Sequence, residues 1–439
     1  MGNFKTKPVQ HNDGNNLKIY HEPERERLRK VIAFFGLGIL LYIIFSLVIV
    51  AAQDILAETY IPTSVVQIAN IGPNFLVSLI VPYFMQRIPY VVRAFLIFFL
   101  SVTGLIVLAL VRQVQWKLIG VGMVAVGGGL GGPTILSLTS FHGELTLAAF
   151  SAGTGVGFAI APLYYTALTT WACVSPKVAT LIMAAMMVLI FVCFYFIDNS
   201  ETKCTSSLSD DLSGVHYSAL ETNENLCDTS NKDDEENDEG TSLSWREKMM
   251  VICQLLPHML PMFITCFSEY IIVQAVITTL AFPSSPFKPR DHYEYYIVVF
   301  VVGEMVGRSY LLVLSYIKRD WGEKAKFPYL WVLCLIEVMD LLFLVLAAWY
   351  RFLPSVWIVL LLVFFCSLTA GAFYVNVVII FRNCLQQKYK EYAMGYIDLP
   401  LTGGILTAAV LGLYVEPLLR EHCMILMDNT DFCFTRTQS

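Results

Sequence analysis

The fold class of this chain is decided by two glycine-rich apolar segments, Ala125-Val-Gly-Gly-Gly-Leu-Gly-Gly-Pro133 and Ser151-Ala-Gly-Thr-Gly-Val-Gly157. They lie within the largely apolar region 118–170, which is interrupted only by the short polar break His142-Gly143-Glu144. In a water-exposed helix each glycine would cost about 1 kcal/mol relative to alanine. In a bilayer, small residues spaced four apart allow helix backbones to approach closely. The region therefore predicts a pair of membrane helices.

The glycines allow two interpretations of this helix pair. One is tight structural packing of helix against helix. The other is a moving or substrate-lining pair, because glycine and proline also permit broken helices beside a cavity. The positions predicted to pack helices are Gly128, Gly131, Gly153, Gly157, Gly303 and Gly307.

The composition of the whole chain agrees with a membrane protein. Of its 439 residues, 56% are hydrophobic and 15% are charged, whereas a soluble domain carries about 25% charged residues. Eleven apolar stretches are long enough to cross a bilayer, which takes about 20 residues each. They are 31–52, 62–85, 91–111, 118–141, 145–171, 178–197, 248–282, 294–317, 327–349, 354–381 and 392–417. The seventh contains Pro257 and Pro261, which predict a kink or a split.

An acidic segment between the sixth and seventh stretches divides the chain. It is rich in Ser, Asp, Glu and Asn and cannot bury a core, so we expect a disordered loop. The predicted fold is an all-α polytopic membrane protein with a major-facilitator-like arrangement of six plus five helices. Its predicted parts are a polar tail (1–30), a six-helix bundle (31–198), the acidic loop (199–246), a five-helix bundle (247–420) and a C-terminal tail (421–439).

The basic residues predict the orientation in the membrane. With a cytosolic N-terminus, cytosolic segments hold 20 of the 29 Lys and Arg residues and the opposite side holds eight. This bias follows the positive-inside rule, and an odd number of spans leaves the C-terminus on the non-cytosolic side. The chain also begins Met1-Gly2-Asn-Phe-Lys-Thr6, a short pattern that fits N-myristoylation of Gly2 and requires a cytosolic N-terminus.

Several classes of chemistry are not expected. The cysteines show no CxxC or CxxxC pair, which argues against a zinc or redox centre. The sequence has no Walker loop, HExxH, GxSxG or dinucleotide-binding fingerprint. We therefore expect no enzyme activity, cofactor, metal or nucleic-acid partner, and we expect a small-molecule substrate and the lipid bilayer as partners.

Ionisable residues within the spans are the candidate functional groups, because such residues are costly at bilayer depth and usually face a cavity or a partner. On an unbroken helix, His258 and Glu269 would lie on one face, about 20° from coincidence. Glu304 and Arg308 are four residues apart and can pair along one helix. Two interpretations of Arg308 stay open: a self-neutralising pair that holds the fold, or the counter-charge of an anionic substrate.

Short segments in the expected order make the chain similar to the battenin family, the lysosomal membrane proteins lost in juvenile neuronal ceroid lipofuscinosis. Two departures concern the substrate region: the family's polar stretch in span one is here Leu41-Tyr-Ile-Ile-Phe45, and its acid after Gly131 is here Gly132. The segments that carry the resemblance are Ala51-Ala-Gln-Asp54-Ile-Leu56, Gly129-Leu-Gly131, Leu136–Phe141, Ser151–Gly155, Ser268-Glu269-Tyr270, Gly307-Arg308-Ser309, Gly371–Asn376, Glu391–Met394 and Ile397-Asp398.

The resemblance implies a lysosomal or vacuolar carrier that exports glycerophosphodiesters, or a basic amino acid such as arginine, and contributes to lumenal pH control. The substrate-binding residues that it implies are Arg308, Glu269, Gln274, Asn376 and Asp54. We add the neighbouring Tyr374 to this predicted site. The residues predicted to carry a proton are Glu269, Asp398 and His258. Two alternatives are an equilibrative nucleoside-type carrier and a non-transporting scaffold that binds endolysosomal trafficking proteins.

Overall fold

The structure is a computed structural model that describes residues 24–56, 64–85, 88–198, 244–286, 289–427, 432–433 and 435. Within these residues it is helical, and no strand is present. Eleven of the described helices are long and apolar enough to cross a membrane. Gly2 and nearly all of the predicted acidic loop lie outside the described residues.

The spanning helices are numbered α1 to α11 in chain order. In the N-terminal half they are α1 (Glu24–Val50), α2 (Ser64–Ile80), α3 (Tyr90–Leu110), α4 (Val114–Thr139), α5 (Glu144–Thr166) and α6, which has two segments (Pro176–Met186 and Leu189–Asp198). In the C-terminal half they are α7 (Trp245–Ile271), α8 (Pro289–Ile317), α9 (Leu330–Tyr350), α10 (Val356–Asn383) and α11 (Asp398–Leu426). The prediction of an all-α, eleven-span membrane protein is confirmed.

The seventh span is neither split nor interrupted at its prolines. Pro257 and Pro261 both lie inside the single helix α7. The irregularity follows α7 instead, where Ile272–Val276 is π-helical and Ile277–Thr279 forms a 3₁₀ turn. A π-bulge is a frequent feature of functional sites because it re-aims side chains by one position.

The last span is a broken helix. The short helix Gln387–Met394 is followed by a turn, and α11 then begins at Asp398. Asp398 therefore stands in the first turn of a 29-residue helix, where the helix dipole favours a negative charge. Broken helices inside membrane proteins are tolerated where they are buried or line a cavity.

Two pairs of helices make the most extensive contacts between the N-terminal and C-terminal halves. Within the halves, α1 packs on α5, and α8 packs on α10. Between the halves, α5 packs on α8, and α2 packs on α11. The space enclosed by these helices is where side chains from both halves meet, and it positions the site described below.

Glycines allow the closest of these approaches. A Cβ added at Gly153 or Gly157 on α5 would overlap the backbone carbonyl of Phe35 or Ile39 on α1. Gly303 and Gly307 stand in the same way against the backbone of α10. A Cβ at Gly131 would meet the side chain of Leu41 at 2.6 Å. Close backbone contact of this kind stabilises helix pairs where the hydrophobic effect between helices is absent.

A disulfide closes one end of the bundle. Cys423, near the end of α11, bonds to Cys433, and the backbone N–H of Thr435 donates to the carbonyl of Thr278 at 2.9 Å. Arg351 lies at the same end, where its Nη2 donates to the carbonyl of Thr279 at 2.6 Å and burial lowers its pKa to about 10. We call this end the disulfide side and the end at which α1 begins the N-terminal side.

We expect replacement of Cys433 by serine to free Cys423 and release the C-terminal segment. Closing a loop of about ten residues is worth roughly 2.5–3 kcal/mol in the chain-entropy model. Denatured, unreduced Cys433→Ser protein should take up one more maleimide-polyethylene glycol adduct than the wild type, and the wild type should gain two on reduction. Equal adduct numbers before reduction would contradict the disulfide.

Candidate functional site

Arg308 is held between the two halves of the protein. Its Nη2 donates to Oε1 of Glu304, one turn earlier on α8, and its Nη1 donates to Oγ1 of Thr154 on α5 at 2.9 Å. The guanidinium carbon lies 4.2 Å from the ring centroid of Tyr374 on α10 and 5.2 Å from that of Tyr42 on α1. Arg308 is buried, with 6% of its surface exposed. The cation therefore contacts four helices and is positioned by both halves.

A small pocket of about 50 Å³ lies beside Arg308. It brings together Arg308, Glu269 and Asp398 with the polar side chains of Tyr42, Asn74 and Thr402. A cavity of this volume holds a few water molecules, since each needs about 10–15 Å³. Entry of a metabolite therefore requires the two halves to move apart.

The pocket has more acidic than basic groups. Glu269 is 3% exposed and interacts electrostatically with Glu304, Glu337 and Arg308. Within the part of the chain that the structure describes, Oε1 of Glu269, Oε2 of Glu304 and Nε of Arg308 have no hydrogen-bond partner. Unsatisfied buried polar atoms are expensive and mark sites that a ligand, water or ion can complete. The arrangement can hold an anion at Arg308 and protons at the neighbouring carboxyl groups.

Asp398 reaches the pocket because Gly132 leaves room for it. A Cβ built on Gly132 would overlap Oδ2 of Asp398 and lie 2.9 Å from its Cγ. One helical turn earlier on α4, a Cβ on Gly128 would lie at an ordinary 3.8 Å from Asn74. Both glycines line the pocket. A side chain at position 132 would collide with Asp398, whereas a Cβ at position 128 would make an ordinary contact with Asn74.

Three other sequence-predicted residues, Asn376, His258 and Gln274, are not part of the pocket lining. The amide of Asn376 donates to the hydroxyl of Tyr310 at 2.7 Å, and its oxygen accepts the backbone N–H of Phe327 at 2.8 Å. His258 lies near the N-terminal side, 3.7 Å from the sulfur of Cys384. Gln274 is part of the π-helical segment and does not line the pocket. Asp54 lies in the short helix Ala52–Ile55.

Sequence reasoning missed several polar site residues, among them Tyr42, Thr154 and Asn74. Each is a neutral side chain within an apolar span, and such residues are also common in ordinary helix packing. Asn74 follows Pro73 inside α2, and that proline–amide pair is the only local signal that these three offered.

A wider cavity of about 600 Å³ opens on the N-terminal side. Its inner end is lined by Leu311 and Ala148, one turn from Arg308 and Ser151, and its outer end by His142, Glu144 and Lys326. Lys326 donates to carboxylates of Glu144 and Glu323. Burial alone would lower the pKa of Lys326, but these hydrogen bonds and charges outweigh it and raise the pKa. The cavity and the pocket beside Arg308 share no lining residue.

A polar latch joins the halves at that side. It consists of Glu391, on the short helix before α11, with Tyr90 and Arg93 at the start of α3. The hydroxyl of Tyr90 donates to Oε1 of Glu391 at 2.7 Å, and Nη2 of Arg93 lies 3.5 Å from the same oxygen. Ser137, at the end of α4, donates to the carbonyl oxygen of Glu391 at 2.9 Å. On the disulfide side the halves meet through aromatic rings, with Phe158 and Phe300 at 6.1 Å.

We expect Glu391→Gln to weaken this latch and open the N-terminal side. A hydrogen bond to a charged group contributes about 1.5–3 kcal/mol, so its loss shifts the open population by on the order of tenfold. Spin labels at the exposed positions Val91 and Gln386 should report longer distances in Glu391→Gln than in the wild type. Lys390→Gln, which removes the neighbouring charge, is the matched control. An unchanged distance distribution in Glu391→Gln would contradict the role of Glu391 in closing this side.

Comparison with known proteins assigns the family. The CLN3 protein family model matches residues 32–422. The protein btn-1 of Neurospora crassa is 30% identical over 422 residues, covering 88% of this chain and 87% of its own. Dog battenin is 27% identical over 362 residues, covering 82% and 78% of the two chains.

Solved structures support the fold independently. The outward conformation of the major facilitator FucP has a TM-score of 0.51 at 14% identity and covers 91% of this chain and all of its own. The human organic anion transporter MFSD10 has a TM-score of 0.53 at 15% identity and covers 92% of this chain and 100% of its own. At such identity the likeness shows the fold alone. The chain therefore belongs to the CLN3 protein family and is a multi-pass membrane protein with a transporter-like, major-facilitator fold.

Proposed function

We propose that this protein is a proton-linked carrier that exports small anionic metabolites of the glycerophosphodiester class from the lysosome or vacuole. The observation that carries the proposal is Arg308, a buried cation placed beside a closed pocket and contacted by helices of both halves. Arginine binds a phosphate group with two parallel hydrogen bonds, and such bonds are short and strong.

The surroundings of Arg308 suit exchange of one anion for another. Glu304 neutralises the guanidinium when no other anion is present. A phosphodiester bound to Arg308 would displace Glu304, which then needs a proton to avoid an uncompensated buried charge. Glu269 and Asp398 line the same pocket and are the proposed groups through which protons reach it. The substrate and proton sites are thereby linked.

Movement between two open states follows from the contacts that close the pocket. The latch at Glu391 closes the N-terminal side, which we assign to the cytosol from the distribution of basic residues. Aromatic packing closes the disulfide side, which we assign to the lumen because disulfides persist in oxidising compartments. Rocking of the halves about the α2/α11 and α5/α8 contacts would open one side at a time.

The test is transport by the purified full-length protein in liposomes with an imposed pH gradient. Radiolabelled glycerophosphocholine, a zwitterion whose phosphodiester group is the anion that Arg308 would bind, is the first probe, with arginine and uridine as the other two. Gradient-driven accumulation of glycerophosphocholine that Arg308→Ala abolishes and Lys177→Ala retains supports the proposal. Lys177→Ala is the control because it also removes one positive charge, at an exposed position in the first turn of α6.

Other outcomes would replace the proposal. Accumulation of arginine alone would assign the acidic groups to a cationic substrate. Uridine uptake that does not depend on pH would favour a nucleoside-type carrier. No transport of any probe, together with a trafficking defect in cells when residues 199–246 are deleted, would favour the scaffold.

A further inference from the structure

A buried acid outside the pocket has no role in the site described so far. Glu337, on α9, is 0% exposed. Its Oε2 accepts a hydrogen bond from the thiol of Cys366 on α10 at 3.1 Å, and its Oε1 has no hydrogen-bond partner in the described ranges of the chain. Among the described residues, no lysine, arginine or histidine forms a salt bridge with Glu337.

The groups around Glu337 provide acids and thiols but no positive charge. They are Cys334 and Asp340 on α9 itself, Cys366 on α10, and Cys266 and Glu269 on α7. The segment 272–279, which also packs on α9, contains no ionisable side chain. On α11, His422 stacks on Trp349 of α9 at the disulfide side, twelve residues or about 18 Å along α9 from Glu337.

An ionised carboxylate in this position would be costly. Burial of a charge without a partner costs several kcal/mol, and the group takes up a proton instead. The resting form of Glu337 is therefore the neutral carboxylic acid. A purely structural acceptor for the Cys366 thiol would not require an acid, because a glutamine amide oxygen accepts the same hydrogen bond.

The position of Glu337 connects it to the pocket. Glu269 lines the pocket and interacts electrostatically with Glu337. Cys266, one turn before Glu269 on α7, also lines the pocket and interacts electrostatically with both acids. The geometry agrees, because α7, which carries Cys266 and Glu269 at the pocket, packs on α9 and α10, which carry Glu337 and Cys366.

We propose that Glu337 is a second proton-binding group of the carrier, which exchanges its proton with Glu269 and is positioned by Cys366. In the exchange, the O–H bond of the Glu337 carboxyl breaks and an O–H bond forms on the ionised Glu269. One proton moves toward the pocket and one negative charge moves to Glu337, so neither charge nor atoms are gained. This inference rests on the proposed proton-linked carrier and identifies where a proton is kept while the pocket binds its anion.

The test compares Glu337→Gln with the wild type in two transport modes of the liposome system. Glutamine keeps the acceptor for Cys366 but cannot release a proton. We expect gradient-driven accumulation of glycerophosphocholine to fall by roughly tenfold or more, and tracer exchange without a gradient to stay within about twofold. Glu294→Gln, an exposed acid on α8, is the matched control and should leave both modes unchanged. Unimpaired accumulation in Glu337→Gln, or equal loss of both modes in folded protein, would overturn the inference.

Infrared difference spectroscopy separates this inference from the proposed function. Wild-type protein should show the carbonyl stretch of a buried carboxylic acid that shifts in D₂O and is absent in Glu337→Gln, whether or not glycerophosphocholine is transported. A wild type that shows this band but moves no probe would overturn the carrier and leave Glu337 as a proton-binding group. If Glu337→Gln does not fold, Glu337→Asp replaces it: an altered pH profile of transport supports the inference, and an unchanged profile contradicts it.

Discussion

Arg308→Ala should abolish transport of a phosphodiester probe and destabilise the protein, whereas Glu304→Leu/Arg308→Met should recover most of the stability and none of the transport. The single change removes the cation from a buried pair and leaves Glu304 without its counter-charge. Breaking a buried pair at one partner costs about 3–5 kcal/mol, whereas replacing both partners by apolar residues of similar volume is often close to neutral. Stability and transport therefore respond differently to the second substitution.

The expected loss of transport follows from the bonds that an anion would make. Two charge-assisted hydrogen bonds of about 1.5–3 kcal/mol each correspond to a loss on the order of 100-fold or more in transport efficiency. Arg308→Lys keeps the charge but loses the planar fork, so we expect an intermediate activity. Thermal melting in detergent measures stability, and liposome uptake of glycerophosphocholine measures transport.

Either single or double variant can contradict this assignment. If the double variant transports the probe at the wild-type rate, Arg308 and Glu304 form a structural pair and the anion binds elsewhere. If Arg308→Ala melts at the wild-type temperature, the pair is not held in a low-dielectric interior. The two interpretations that the sequence left open for Arg308 are separated by these measurements.

The fold followed from the sequence because the bilayer restricts the choice of structure. In lipid every backbone polar group must bond within the chain, so an apolar stretch of about 20 residues has one outcome. This is why eleven spans were predicted. The helix ends were harder to place: α7 begins at Trp245 and continues unbroken past Pro257 and Pro261, where two prolines had predicted a kink or a split.

The site followed only in part, because a charged residue identifies a span but not the depth or direction of its side chain. Arg308, Glu269 and Asp398 line one pocket, and Tyr374 stacks on Arg308, but their role as site residues stays a prediction. His258 shares a helix with Glu269 yet lies near the N-terminal side, beside Cys384. Helical periodicity compares faces and says nothing about eleven residues of separation along the axis, which is about 16 Å.

Contacts between residues on different helices could not be predicted from local sequence patterns. Thr154 contacts Arg308 from another half of the protein, 154 residues away in the chain. Glu391 forms its latch with Tyr90 across 301 residues. These pairings depend on the packing of α5 on α8 and of α3 and α4 near the last span, which a single sequence does not encode in any local pattern.

Gly132→Ala should reduce gradient-driven transport by roughly tenfold or more, whereas Gly128→Ala should leave it near the wild-type level. The two positions are four residues apart on α4, and both line the pocket. An alanine methyl at position 132 would overlap the carboxylate of Asp398, while at position 128 it would lie at van der Waals distance from Asn74. The paired substitutions therefore add the same methyl group with and without a collision.

We expect Gly132→Ala to reduce transport by displacing the carboxylate of Asp398 and not by distorting helix α4. Asp398 is fixed at the start of α11, where its carbonyl accepts the Thr402 hydroxyl at 2.7 Å, so its short side chain must turn out of the pocket to admit the methyl group. Overpacking of this kind costs about 1–3 kcal/mol, which a folded protein can tolerate. The carboxyl would then be lost from the group of acids that faces Arg308.

A double substitution shows whether Asp398 carries the effect. Asp398→Asn should itself lower gradient-driven transport, and Gly132→Ala added to Asp398→Asn should lower it little further, because coupled sites are not additive. If the two losses instead multiply, Gly132 acts independently of the carboxylate, for example by restricting movement of α4. If the losses do not multiply, Gly132 provides the space for the carboxylate of Asp398, an acid that α11 supplies where the battenin family is expected to have an acid on α4.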